Sequence, residues 1–68
     1  METYIDSRVN GDFAVREVIT TARGERIIGA EIVHVPRAFN RDPYRRAHEI
    51  AQQISGVGNV YVAAQRTA

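Results

Sequence analysis

Apolar and polar positions alternate with a period of two along residues 1–35, the repeat of half-buried strands, and the dipeptides Asn10-Gly11 and Arg23-Gly24 cut this stretch into three. The pattern predicts a three-strand antiparallel meander. With Arg23 and Gly24 at the centre of the second turn, Ile19 faces Ile28, Val15 faces Ile32 and Phe13 faces His34 on one side, while Arg16 meets Glu31 on the other. In the first hairpin a three-residue loop, Asn10 to Asp12, gathers the apolar side chains best. Val9 then meets Phe13, Ser7 meets Val15 and Ile5 meets Glu17. Glu17 is left as a carboxylate on an apolar face, to be taken up by a sheet margin, by a bulge that turns it outward, or by burial for a purpose.

Beyond Val35 the period changes. Pro36 ends the third strand, a polar link runs from Arg37 to Arg41, and Asp42 followed by Pro43 reads as the N-cap and first residue of a helix. Pro43, Ala47, Ile50, Ala51 and Ile54 fall within a stripe of about 100°, the spacing of a helix lying on a sheet. Arg45, His48, Glu49 and Gln52 take the watery side, with Arg45 and Glu49 four apart as an ion pair. Ser55-Gly56 marks the stop, with Val57 folding back for the apolar contact that such ends favour. Asn59 to Gln65 is rich in strand formers and the last three residues read as loose. The expected fold class is therefore α+β in the order β-β-β-α-β, one domain spanning residues 1–68. Phe13, Val15, Ile19, Ile28 and Ile32 are expected beneath the single helix. A right-handed crossover sets the last strand parallel to the third, beside it (order 1-2-3-4) or beside the first (order 3-2-1-4), the latter being preferred.

Composition narrows what such a domain can do. A chain of 68 residues builds a thin core, and disulfides, a metal or a second subunit commonly support one. Cys is absent, which removes the disulfide and thiolate-zinc routes and leaves self-association, so a homodimer is expected. No leader-like segment and no apolar run of membrane-spanning length occurs, and the expected location is the cytoplasm. All nine basic residues are Arg, so lysine chemistry is excluded. Residues 1–35 carry four Arg against six acids and residues 36–68 five Arg against two, so the first half is net acidic and the second basic.

Candidate chemistry concentrates in RAFNRDPYRR, where Arg37, Arg41, Arg45 and Arg46 interleave with Phe39 and Tyr44, and His48 follows one turn later. Guanidinium forks suit phosphate or carboxylate, and aromatic rings stack on bases or fill a partner's pockets. The competing reading is an ordinary solvated start of a helix, with Phe39 as a loop anchor. A second candidate is the sheet face away from the helix, predicted to show Tyr4, Val18, Ile27 and Val33 beside Arg16 and Glu31, with Tyr61 joining from the last strand. One helix cannot cover both faces, so this patch suits a protein interface. Ser7, Ser55, His34 and His48 assemble no nucleophile-base pattern, and two histidines without Cys or clustered carboxylates make no metal shell. Neither an enzyme nor a cofactor is expected. The function expected is that of a protein-binding module, with a small nucleic-acid-binding or regulatory domain using residues 37–46 as the alternative.

The run GDFAVREVITTARGERIIGA followed by DPYRRAHEIAQQISGVGNVYV resembles, in size and element order, the small phage-encoded inhibitors of bacterial defence, anti-CRISPR proteins among them. That resemblance implies stoichiometric blockade in a host cytoplasm. The chain would occupy a surface, acidic or nucleic-acid-binding, that a larger host complex needs. Such inhibitors share no common binding motif, so the resemblance assigns no role to any single residue.

Overall fold

The computed structural model describes residues 1–62. It contains β1 (Glu2–Ser7), β2 (Phe13–Thr20), β3 (Arg26–Val35), a single 3-10 turn (Arg37–Phe39), α1 (Pro43–Ser55) and β4 (Val60–Val62). The strands form one sheet in the order β3-β2-β1-β4, the preferred arrangement, antiparallel except that β4 runs parallel to β1. The helix packs on one face of this sheet, which makes the fold α+β as expected. Of the predicted last strand, Ala63 to Gln65 lie outside the described residues, as do the three residues read as loose.

Both hairpins close in the same way. Arg8 N–H bonds Asp12 C=O at 2.8 Å and Gly11 N–H bonds Arg8 C=O at 3.1 Å; Thr21 and Glu25, with Gly24, repeat this at 2.8 and 2.9 Å. Each loop therefore holds three residues, Val9 to Gly11 and Ala22 to Gly24. A glycine occupies the last place, at φ +91° and +82° respectively, where a Cβ is penalised. The first loop starts one residue earlier than expected and the second is one residue longer. In the first hairpin this moves the register by two, so Ser7 pairs with Phe13, Ile5 with Val15 and Thr3 with Glu17, and every side chain keeps its face. Val9 leaves the ladder and lies in solvent.

The second hairpin contains the larger departure. Arg16 does face Glu31, but register shifts flank that pair on both sides: toward the turn Val18 meets Ile28 and Ile19 meets Ile27, and away from it Val15 meets Val33 and Phe13 meets Val35. Each shift inserts an extra residue in β3, and a slip of one residue exchanges faces. Ile28 accordingly joins the outer face, His34 pairs with Ala14 instead of Phe13, and Val33 packs against the core instead of lining the open face. Ile19, Ile28 and Ile32, expected in the core, are 47, 44 and 41% exposed. The bulge also accounts for Glu17. Its carboxylate lies beside Gly29, where a Cβ would come within 2.8 Å of Oε1, and accepts the Ala30 N–H at 3.4 Å.

The core consists of Ile5, Val15 and Val35 beneath Ala47 and Ala51, with Phe13, Val33, Ile50, Ile54 and Val60 packed around them. Two alanines on the helix stripe let it approach the sheet closely, and each buried Ile or Val contributes about 1.5–3 kcal/mol. Asp42 caps the helix by accepting the Arg45 N–H at 3.1 Å, with Pro43 in the first turn. At the other end Gly56 takes φ +86° and donates to Gln52 C=O. Val57 is exposed and makes no folding-back contact. A polar clamp stands in its place, with Asn59 donating its side-chain N–H to Ser55 C=O at 2.9 Å and its own C=O accepting Thr3 N–H at 3.0 Å.

Ser55 completes this seam. Its hydroxyl donates to Ala51 C=O at 2.8 Å, and the buried Thr3 hydroxyl is then the donor in their 2.9 Å contact. Ser55→Ala removes the one side-chain partner that the Thr3 hydroxyl has among the described residues and should cost about 1–3 kcal/mol, whereas Thr3→Val leaves Ser55 bonded to Ala51 and should cost less. In a domain this small, each kcal/mol lowers Tm by about 4–8 °C. Thermal unfolding of the two variants checks this; equal losses would refute the seam.

Candidate functional site

The structure separates the two predicted surfaces. One surrounds the 3-10 turn and the start of α1. Phe39 stands 86% exposed there and so anchors nothing in the chain itself. On either side of it, Arg37 and Arg41 are exposed, and no carboxylate lies within 4.0 Å of either guanidinium group among the described residues. The Arg37 stem lies over Gly11, where a Cβ would meet its Cδ at 2.9 Å, so the first hairpin holds this arginine at its base. Arg45 and Arg46 differ in kind. Both reach the single carboxylate of Glu49, at 3.6 and 3.4 Å, which spends much of their charge inside the chain. Tyr44 meets Phe13 edge to face, with centroids 5.5 Å apart, and the His48 ring lies 6.1 Å from Tyr44. This aromatic row joins the start of the helix to the sheet.

The second surface is the sheet face away from the helix. Tyr4, Val18, Arg26, Ile27, Ile28 and Tyr61 line a shallow, mostly apolar groove of about 210 Å³. Salt bridges and hydrogen bonds border it. Arg26 Nε lies 3.3 Å from a Glu2 oxygen, Tyr61 O–H donates to the other at 2.6 Å, and the Arg26 guanidinium sits 5.3 Å from the Tyr61 ring centre. Asp6 lies 3.5 Å from Arg16 and 3.6 Å from Arg8, and Arg8 pairs in turn with Glu31. Arg16 also donates to Gly29 C=O at 2.9 Å. Of the residues expected on this face, Tyr4 and Val18 line the groove and Arg16 and Glu31 belong to its charged border; Ile27 touches the groove, but its pairing with Ile19 sets it on the helix side now that Ile28 has taken the outer one, and Val33 lies in the core.

The sequence pattern also set Asp6 and Arg8 on this face beside Arg16 and Glu31, as found; sequence reasoning missed Glu2, Arg26 and Ile28 as parts of this surface. Alternation along β1 places Glu2 and Asp6 beside Tyr4 once its face is known. Arg26 and Ile28 could not be placed without the bulges.

A third feature lies at the end of the first hairpin, where Arg8, Val9, Asn10, Asp12, Glu31 and His34 line an open cleft of about 540 Å³. Its polar groups are bonded to one another. Asp12 accepts the Arg37 N–H at 2.8 Å through one oxygen, while His34 Nε2 lies 2.8 Å from the other. His34 is thus paired with a carboxylate, and Ser55 is committed in the buried seam, so the two form no nucleophile-base couple. No cluster of three or more His, Asp or Glu side chains occurs among the described residues, and no helix there is long and apolar enough to cross a membrane. No family model, curated protein or solved structure matches this chain.

Hydrogen bonding sets two carboxyls apart. The Arg37 N–H, seconded by His34, holds Asp12 below its ordinary value, and the Tyr61 hydroxyl, with Arg26, does the same for Glu2. The same bond raises the Tyr61 hydroxyl. A carboxyl with a depressed folded pKa stabilises the fold above its unfolded value, 3.8 for Asp12, and that contribution is lost as pH falls through the folded value. Asp12→Asn should therefore lower stability at neutral pH and flatten the acid limb of the stability curve below about pH 4. Urea unfolding across pH 2 to 7 checks this, and parallel curves for wild type and variant would contradict it.

Proposed function

We propose that this chain is a non-enzymatic protein-binding module that grips its target with the 3-10 turn. Phe39 enters a pocket of the partner, and Arg37 and Arg41 meet its carboxylates. The observation that carries this reading is the full projection of a large aromatic side chain between two cations that have no ion-pair partner among the described residues. Such a ring raises the cost of the free surface and contributes nothing to the core, and aromatic and Arg side chains dominate binding hot spots. Tyr44 and His48 form the wall of the site, and Arg45 and Arg46, tied to Glu49, steer association more than they hold it.

The target class is an acidic or nucleic-acid-binding surface of a larger complex, and the mode is occupancy. The fold order and size on which the resemblance to phage inhibitors rests support an inhibitor working in a host cytoplasm. Nucleic acid is the second reading for the same residues. It is disfavoured because Arg45, Arg46, Arg8, Arg16 and Arg26 are already paired with carboxylates, which leaves few cations to displace counterions.

Immobilised wild-type protein should retain a partner from extract of its host, and Phe39→Ala should weaken that retention about 30-fold or more, the effect of losing a hot spot worth about 2 kcal/mol. Arg37→Ala with Arg41→Ala should weaken it further. Retention that is unchanged in Phe39→Ala overturns the assignment. Retention lost to nuclease, or falling with salt along a slope set by the number of phosphates contacted, moves the reading to nucleic acid.

A further inference from the structure

The outer sheet face has properties that differ from those of the Phe39 site. Its apolar groove lies across β1, β2, β3 and β4, so it belongs to the sheet as a whole and not to one loop. The charges around it are balanced. Glu2, Asp6 and Glu31 are each within 4.0 Å of Arg8, Arg16 or Arg26, three acids for three arginines, so the border has no net charge.

Neutrality selects the occupant. An acidic protein or a nucleic acid finds here no cation without a carboxylate already beside it, while a partner bearing the same balanced border adds no like-charge repulsion on docking. The identical face of a second copy meets this condition by construction, because a two-fold contact sets each patch against itself. Area agrees. Four strands at about 4.8 Å spacing and up to ten residues at about 3.3 Å give a face on the order of 500 Å². Two such faces bury on the order of 1,000 Å², the lower limit of specific interfaces and enough for a weak dimer. Stacking would also give the apolar side chains of the second sheet face the cover that a one-helix domain lacks.

We infer that the chain forms a two-fold dimer through this face, with Tyr4, Val18, Ile28 and Tyr61 at its centre, as a sandwich of two four-stranded sheets with the helices outermost. The Phe39 sites stay outside the contact, so the dimer is bivalent toward its target. This inference stands independently of the reading of the Phe39 site.

Sedimentation equilibrium of the purified full chain tests it. Wild type should shift from monomer to dimer between about 1 and 200 µM, the range that a small interface predicts. Ile28→Arg should raise the dissociation constant at least tenfold, and Phe39→Ala should sediment like wild type. Because Ile28→Arg also changes the sheet's own packing, a second measurement uses the absence of native cysteine. Ile28→Cys, mildly oxidised, should give a disulfide-linked dimer, and the exposed but remote Val57→Cys should not. A wild type that stays monomeric at 200 µM overturns the proposal and leaves the face to a foreign partner. An association that Ile28→Arg leaves unchanged, or equal crosslinking from both cysteine positions, overturns it in favour of another contact such as the β3 edge.

Discussion

A single thirteen-residue helix must cover a four-stranded sheet, and the rest of the structure follows from how little it can reach. Such a helix is about 20 Å long, while the ten residues of β3 extend over about 33 Å. Contact is close only where Ala47 and Ala51 bring the helix axis down onto Ile5, Val15 and Val35. The turn-proximal half of the β2-β3 hairpin projects past this cover, which is why the paired Ile19 and Ile27 remain exposed although they are residues a core would prefer, while Ile28 lies on the other face, where there is no helix.

Polar interactions hold what the small apolar core cannot. Thr3, Ser55 and Asn59 tie the end of α1 to β1 and to the start of β4, so the short last strand is fixed by hydrogen bonds to both neighbours. Asp12 does the same at the opposite end, joining the first hairpin, His34 and the residue after Pro36. The bulges of β3 are similarly satisfied, with Glu17 and Arg16 bonding backbone groups at Ala30 and Gly29. In a domain of this size a buried donor or acceptor without a partner would cost a large share of the net stability. Among the described residues no buried side-chain nitrogen or oxygen lacks one.

This arrangement divides the surface by charge. Among the described residues the three arginines around the outer groove are balanced by three carboxylates and the helix arginines Arg45 and Arg46 share Glu49, while Arg37 and Arg41 have no ion-pair partner beside Phe39. One region is thus cationic with a projecting ring and the other is apolar with a balanced border. The two suit different partners, a carboxylate-bearing target and a second copy, and they can be engaged together.

Local signals were enough for much of this fold. The Asp42-Pro43 start, the Gly56 stop, the stripe from Pro43 to Ile54, the two glycine turns and the β-β-β-α-β order are all set by neighbouring residues, because caps, turns and periodicity act over four residues or fewer. The clustering of Arg37, Phe39 and Arg41 was equally legible, being a matter of adjacency. Which isoleucines are buried was not. Alternation along β3 reads the same with or without its bulges, yet each bulge exchanges the faces of all residues beyond it, sending Val33 inward and Ile28 outward. Nor does spacing reveal which arginines are paired, since Glu2 with Arg26 and Arg8 with Glu31 are more than twenty residues apart and meet only across the sheet. Sequence by itself determined the elements and their order; tertiary structure alone decided register, face and charge pairing, because these depend on contacts between strands whose alignment no local rule specifies.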